Sequence, residues 1–217
     1  MFSLSLSSII TRVITLIIAF TVHEYAHAWT ANRFGDSTPK MNGRLTLNPL
    51  AHLDPIGSLM LIVAGFGWAK PVPVNPYALR RRSSSAMMLV ALAGPLSNLI
   101  MAIFGSIIFV LVWDPAAGAA MSYNDIFPTP MGFLYYFIII NLSLMVFNLL
   151  PISPLDGEKV LEGILPPSGQ DFLVQIRPYG SIILLVVVFL LPNFGFDILG
   201  SILNPFLDIW WRILLGG

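Results

Sequence analysis

Long apolar runs separated by short polar stretches dominate the pattern of this chain. Three of them, Leu6–Asn32, Ser84–Trp113 and Met131–Leu150, are long enough to cross the roughly 30 Å hydrocarbon core of a bilayer as single helices. Two further runs, Pro178–Leu191 and Phe196–Leu214, are typical of a helical pair. The pattern therefore predicts an all-α polytopic membrane protein with about five transmembrane helices.

One apolar piece, Ile56–Trp68, is too short for a normal span and runs into the proline-rich stretch Ala69–Pro76. If it crossed the membrane, Lys70 and the arginines Arg80–Arg82 would lie outside, against the preference of basic residues for the cytoplasmic side. We therefore expect this piece to be re-entrant or packed at the cytoplasmic face, where protein or water satisfies its irregular backbone.

Two short segments near this piece are predicted to be extended. Arg44–Leu47 alternates in polarity like a strand, and prolines prevent a helix over Lys70–Asn75. The predicted fold class therefore adds short membrane-associated β-strands to the transmembrane helices.

Composition and charge agree with a membrane location. Hydrophobic residues make up 56% of the chain and charged residues only 10%, and the 11 basic residues balance the 11 acidic ones, which leaves no global electrostatic case for a nucleic-acid partner. Arg33, Arg44, Lys159 and Arg177 indicate that the end of the first run and the region after the third are cytoplasmic. The loop Asp114–Pro130 has no Lys or Arg and is predicted to be extracytoplasmic.

The C-terminal pair is expected to turn at Pro192–Asn193 outside the membrane and to end in Trp210, Trp211 and Arg212. These three residues would anchor the last helix at the inner interface, or they belong to an ordinary lipid-facing aromatic belt.

No long polar stretch and no internal repeat interrupts the chain. Residues 1–217 are therefore predicted to form a single domain, with a core over about 6–165 and an accessory helical pair over about 177–215.

Candidate chemistry lies near the end of the first apolar run. His23 and His27 are i, i+4 neighbours, which on a helix places both imidazoles on one face at a spacing that holds Zn²⁺, and Glu24 beside them is a candidate general base. Ionisable groups at membrane depth are costly and need such a reason, although histidines at a helix end can also reach the interface. Because the chain has no cysteine, a zinc site must use His and carboxylate ligands.

A catalytic zinc normally has three protein ligands and one open position, and the sequence offers two candidates for the third. Asp156 follows the third span on a turn stiffened by Pro151 and Pro154, although Asp is also a favoured cap of the helix that begins there. His52 lies in a polar loop where Asp54 precedes a helix start. We expect Asp156 to be the ligand and His52 to lie nearer the rim, against a ligand or the substrate.

Three signatures resemble those of the site-2 protease family: His23–His27, Ala93–Asn98 and Asn148–Gly157. Its members are membrane-embedded zinc metallopeptidases that cut substrates within or near their transmembrane segments, with the active site toward the cytosol. The resemblance covers about residues 10–165. It implies the same activity, zinc as the cofactor, and transmembrane proteins as substrates of a multi-pass protein in a bacterial or archaeal cell membrane.

The resemblance also implies roles for single residues. His23, His27 and Asp156 would bind one Zn²⁺, Glu24 would activate the water, and Asn148 would hold the substrate or stabilise the oxyanion. Taken alone, Asn148 is equally consistent with an interhelical hydrogen bond.

Substrate capture and selection follow from the same resemblance. In the family an extended segment after the His helix pairs with the substrate as a strand, a part that Lys70–Asn75 or Arg44–Leu47 would play here. Members often carry a PDZ or CBS domain that restricts access. This chain contains neither, so we expect selection to reside in the membrane core or in a separate regulatory partner.

The middle signature is interpreted as packing. Gly94 permits close helix approach, Pro95 kinks the span, and Asn98 is assigned the same structural role.

Two other functions use the same features. A transporter or channel could pass protons or metal ions through His23, Glu24 and His27, but it predicts further ionisable residues in the other spans, which are almost bare of them. An inactive scaffold of the same fold would bind membrane proteins without needing an intact Glu24. We therefore expect an intramembrane zinc metalloprotease.

Overall fold

The computed structural model describes residues 6–64, 67–112 and 128–215, most of which are helical. The three long helices are α1 (Leu6–Arg33), α5 (Ala86–Val112) and α6 (Pro130–Asn148), in agreement with the first three predicted spans. Of the predicted loop Asp114–Pro130, all but the last three residues lies outside the described ranges. The other helices are α2 (Thr38–Met41), α3 (Pro55–Ala64), α4 (Pro76–Arg82), α7 (Asp156–Ile164), α8 (Pro167–Ile176), α9 (Gly180–Leu185) and α10 (Ile198–Leu215).

Four helical stretches in the described ranges are long and apolar enough to cross a membrane: α1, α5, α6 and the run Pro167–Phe194. The fourth run is not one continuous α-helix. A 3₁₀ turn at Arg177–Tyr179 separates α8 from α9, and a π-helical stretch at Val186–Leu190 follows α9. The turn before α10 contains Pro192–Asn193, as predicted: it is a 3₁₀ turn over Leu191–Phe194 that ends at Gly195, whose φ of 86° favours glycine. The prediction of about five spans is thus not confirmed.

Helix α5 lies at the centre of the fold and contacts α1, α6 and α7. At its N-terminal end, Val90 packs with Ala31 of α1 and Leu79 of α4. Toward its C-terminal end, Phe109 packs with Ile138 of α6. This central position brings α5 against the histidine-bearing part of α1 as well as against α6 and α7.

The tryptophans of α10 pack against the half of α5 that is remote from α4 and α7. Trp210 donates its indole N–H to the Ser106 hydroxyl at 3.1 Å, and the Trp211 ring lies 5.6 Å from Phe109 and 5.0 Å from Tyr135, between ring centres. These rings therefore lie toward the end of α5 that leads to the predicted extracytoplasmic loop, and the placement of Trp210, Trp211 and Arg212 at the inner interface stays a prediction. Neither is a purely lipid-facing residue, since both rings are partly covered by α5 and α6.

The predicted strands are not confirmed. In the parts of the chain that the structure describes, the only β pairing is an isolated antiparallel bridge between Leu53 and Ala69. The short apolar piece forms α3, whose 10 residues span only about 15 Å and so cannot cross the hydrocarbon core. Asp54 caps it as predicted, since its carboxylate accepts the Gly57 N–H at 2.8 Å.

Candidate metal centre

Three side chains from two distant parts of the chain converge at one point. The Nε2 atoms of His23 and His27 lie 3.0 Å apart, and the Asp156 Oδ2 atom lies 3.1 Å from the first and 3.2 Å from the second. Both imidazoles are buried, and Oδ2 has no hydrogen-bond donor. These three ligand atoms surround one buried position and form a group that could hold a metal ion.

The remaining ring nitrogens determine which tautomers are present. His27 Nδ1 lies 2.7 Å from the Val90 carbonyl oxygen, which can only accept, so this nitrogen carries the hydrogen. His23 Nδ1 lies 2.6 Å from Asn98 Oδ1. Both Nε2 atoms are therefore left with lone pairs that face each other and the carboxylate, an arrangement that a cation stabilises.

The orientation of Asn98 is itself determined by a relay of amides. The Phe137 carbonyl accepts from Asn141 Nδ2 at 2.8 Å, which turns Asn141 Oδ1 toward Asn98. That oxygen accepts from Asn98 Nδ2 at 3.0 Å, which leaves Asn98 Oδ1 for His23. Asn98 and Asn141 are both fully buried, so each polar atom needs its partner.

Gly94 brings α5 against both imidazoles. A Cβ atom at this position would overlap the rings of His23 and His27. Glycine is therefore required by close approach, and the absence of a side chain leaves α1 near enough for Val90 and Asn98 to reach the two Nδ1 atoms.

Asp156 reaches the histidines because α7 begins against the end of α6. A Cβ atom at Gly157 would overlap the backbone carbonyls of Leu149 and Leu150, so this approach also needs glycine. The alternative role as a helix cap is not observed, since Leu155 occupies the cap position and no side chain caps α7. Burial alone would raise the pKa of the Asp156 carboxyl, whereas a positive charge at this point, from a protonated imidazole of His27 or His23 or from a metal ion, lowers it.

Glu24 is buried on the same turn of α1 and is held from the side of the extended segment. Its Oε2 atom accepts the Val72 backbone N–H at 3.0 Å. The segment around Val72 is tied in turn to the loop after α2: the Lys70 N–H donates to the His52 carbonyl at 2.8 Å, and the buried Arg44 guanidinium donates to the carbonyls of Lys70 and Ala51. We call this arrangement the brace: the segment Lys70–Val72, held by Arg44 and the His52 carbonyl, positions the Glu24 carboxylate.

His52 takes no part in the cluster. Its side chain is fully buried rather than at a rim, and its Nε2 atom lies 2.7 Å from the Thr46 carbonyl oxygen. The structure thus brings Asp156, and not His52, to the two histidines, while His52 supports the loop that carries the brace.

Asn148 is the last residue of α6, and its contact is local. Its Nδ2 atom donates to the Leu144 carbonyl of the same helix at 3.0 Å. Among the described residues, this side chain therefore makes neither an interhelical hydrogen bond nor a hydrogen bond to the cluster.

The sequence did not predict two groups that orient side chains of the site. Asn98 was assigned to packing, yet it orients His23; its place one turn after Gly94 in a signature of small residues was the available signal. The Val72 N–H gave no signal at all, because a backbone donor is the same at every residue except proline.

Membrane-length apolar helices around a buried His-His-Asp cluster with a neighbouring Glu define the class: a membrane protein with a candidate metalloenzyme centre. The family model described as "Peptidase family M50" matches residues 126–191, a range that includes Asp156 but not α1. No solved structure shows significant similarity to the chain.

Curated relatives match most of the chain. The chain is 47% identical over 193 residues to "Putative zinc metalloprotease YwhC" of Bacillus subtilis (strain 168), covering 88% of this chain and 85% of that protein. It is 32% identical over 220 residues to "Putative zinc metalloprotease Rip2" of Mycobacterium tuberculosis (strain ATCC 25618 / H37Rv), covering 90% and 80%. The chain belongs to peptidase family M50, the family of the site-2 proteases, as its three signatures predicted.

Proposed function

We propose that the chain is an intramembrane zinc metalloprotease that hydrolyses peptide bonds within or near transmembrane segments of membrane proteins. One observation carries the proposal: His23, His27 and Asp156 direct three lone-pair donors to one buried point, beside an acidic side chain, in a member of a metallopeptidase family. The donor set of two imidazoles and one carboxylate fits a catalytic zinc site that keeps its fourth position for water.

His23, His27 and Asp156 would hold Zn²⁺, which would supply Lewis acidity to lower the pKa of water and polarise a carbonyl. Glu24 takes the proton of the attacking water at its carboxylate and delivers it to the leaving amine. The Val72 N–H holds one carboxylate oxygen and leaves the other free for this transfer. Asn148 Nδ2 has a second hydrogen, which can be donated to the developing oxyanion.

A peptide bond in a membrane helix is shielded by its own hydrogen bonds, so the substrate must unwind and be held as an extended segment. Lys70–Asn75 is a poor partner for it, because Pro71 and Pro73 have no N–H and the N–H groups of Lys70, Val72 and Asn75 already donate within the protein. Arg44–Leu47 is the better candidate. In the described ranges, no acceptor contacts the N–H groups of Leu45 and Leu47.

The active site is proposed to face the cytosol. Leu79 of α4 packs against Ala31, one turn after His27, so the exposed Arg80–Arg82 lie at the same end of the bundle as the cluster. Three consecutive arginines favour the cytoplasmic side of a membrane. No contact in the described structure identifies a partner, so the substrates and a separate regulatory partner remain part of this proposal.

The test is cleavage of a panel of single-span membrane proteins by the purified chain in detergent, with metal content measured on the same samples. The Glu24→Gln variant is the control: it should keep its zinc and lose at least about 100-fold in rate, because it lacks the proton acceptor but none of the ligands. Normal turnover by this variant, or loss of its zinc, would show that the role of Glu24 is assigned wrongly.

A further inference from the structure

A second cluster of charged side chains lies on α7, behind Asp156, and takes no part in the proposed chemistry. Its centre is Glu158, which is only 3% exposed. Arg177, in the 3₁₀ turn after α8, places Nε 2.7 Å from Glu158 Oε1 and Nη2 2.7 Å from Glu162 Oε2. Lys159 Nζ lies 3.0 Å from Glu158 Oε2 and 3.4 Å from Glu162 Oε2.

The positive charges of Arg177 and Lys159 balance the negative charges of the two glutamates, but the two residues have different structural roles. Lys159 belongs to α7 itself, so its ion pairs cannot hold the helix against anything else. Arg177 belongs to another element, and its planar guanidinium bridges two carboxylates one turn apart on α7. Arg80 also approaches Glu162, but at 3.9 Å and with 71% of its side chain exposed, which makes it a weak contact.

The same C-terminal segment supports the turn before Asp156. A Cβ atom at Gly180 would overlap the Ser153 carbonyl, so the backbone after Arg177 lies directly against the turn that leads into α7. Asp156 is the first residue of α7, two positions before Glu158. Residues 177–180 therefore contact the chain on both sides of Asp156, at Ser153 before it and at Glu158 after it.

We propose that Arg177 is a positioning residue for Asp156: its bonds to Glu158 and Glu162 hold α7 where the Asp156 carboxylate meets both imidazoles. This inference rests on the proposed role of Asp156 as a metal ligand. It also makes the C-terminal segment, expected from sequence to be accessory, a working part of the site.

The physical reason is that Asp156 and Glu158, the residue that Arg177 holds, lie only two positions apart on α7. A metal ligand must stay within a few tenths of an ångström of its position, and Asp156 is carried by the first turn of a helix of only nine residues. Without Arg177 the two glutamates repel each other and Glu158 keeps only Lys159, so α7 is expected to move. Loss of groups that orient a metal ligand typically weakens metal affinity about 10- to 100-fold.

The experiment compares Arg177→Met with Lys159→Met in the full chain in detergent. Each removes one positive charge that contacts the same two glutamates, but only the first removes the link to another element. The readouts are the Kd for Zn²⁺ by chelator competition, the absorption spectrum of the Co²⁺-substituted protein, which reports the coordination geometry, and the unfolding temperature. None of them requires protease activity.

We expect Arg177→Met to raise the Kd for Zn²⁺ about 10- to 100-fold and to change the Co²⁺ spectrum. Lys159→Met should leave the spectrum unchanged and shift the Kd by less than about threefold, since a partly exposed ion pair contributes little. Arg177→Lys should give an intermediate loss, because an ammonium group keeps the charge but not the planar fork.

A wild-type Kd and Co²⁺ spectrum in Arg177→Met would overturn the inference, even if the unfolding temperature fell. Should that variant not fold, wild-type metal binding by Arg177→Lys would overturn it in the same way. Absence of metal from the wild-type protein would instead overturn the metal site itself and the inference with it, whereas metal binding without protease activity would leave Arg177 in its role and contradict the proposed function alone.

Discussion

His23 and Asn98 are joined by a 2.6 Å contact between Nδ1 and Oδ1, 75 positions apart in the sequence. The contact links α1 to α5 inside the apolar bundle, where an unpaired polar group is costly. Because the amide relay from Phe137 fixes Asn98, it also fixes the tautomer of His23. The affinity of the centre for metal should therefore depend on a residue that does not touch the metal.

Replacement of Asn98 tests this dependence. Asn98→Leu removes the acceptor for His23 Nδ1–H and should weaken Zn²⁺ binding about 10- to 100-fold. Asn98→Asp keeps the acceptor oxygen and should retain more of the affinity, although Asn141 Oδ1 then loses the N–H group that donates to it. Metal titration of both purified proteins checks the order, and equal affinities in the two variants would contradict the role given to Asn98 Oδ1.

The third ligand is tested by Asp156→Ala and His52→Ala. The first removes one of the three converging atoms and should lose most of the metal and all activity. The second removes a buried support of the loop and should keep stoichiometric metal, with at most a lower rate. Metal analysis of the two variants decides the matter, and a metal-free His52→Ala protein beside a zinc-loaded Asp156→Ala protein would reverse the assignment.

Gly94→Ala should abolish metal binding, because the added methyl group would overlap the rings of His23 and His27. Gly169→Ala is the control on α8: its Cβ would lie 3.1 Å from Leu165 Cβ, a tight contact with a side chain that takes no part in the cluster or in the relay to His23. Metal content and the unfolding temperature of the two proteins separate a local effect from general destabilisation. Bound metal in Gly94→Ala at the wild-type level would refute the close approach.

The brace on Glu24 is tested by Val72→Pro, which removes the N–H that its carboxylate accepts. Hydrogen bonds to charged groups contribute about 1.5–3 kcal/mol, so kcat should fall about 10- to 100-fold while the zinc content stays unchanged. Val74→Pro is the control in the same segment, since no acceptor for the Val74 N–H is found in the described ranges. Equal kcat values for the two variants would mean that the Val72 N–H does not position Glu24.

The topology is tested with single cysteines, which the cysteine-free chain allows. Arg81→Cys should react with an impermeant thiol reagent from the cytoplasmic side, together with a cysteine at exposed Ile164 near the end of α7. Asn124→Cys, in the predicted extracytoplasmic loop, should react from the opposite side. Labelling of Arg81→Cys and Asn124→Cys from the same side would overturn the orientation.

Local chemistry made part of this protein predictable. Membrane-length apolar runs dictate helices, because no other open segment satisfies its backbone in hydrocarbon, and the i, i+4 spacing of His23 and His27 places both rings on one face without knowledge of any neighbour. Asp156 was also identified, although by its match to a family signature and a turn rather than by geometry. The segment Lys70–Asn75 was expected to be a strand, but the Glu24 carboxylate and the Arg44 guanidinium hold it instead of another strand.

Contacts between distant parts of the chain were decided only by the tertiary structure. Periodicity says which face of a helix is apolar, but not that Gly94 lies against two imidazoles, that Asn98 orients one of them, or that Val72 donates to Glu24. The same holds for Arg177, which sequence alone assigned to membrane orientation and which folding places against Glu158. The physical reason is that a hydrogen bond or ion pair depends on distances of a few tenths of an ångström between groups that the sequence leaves tens of residues apart.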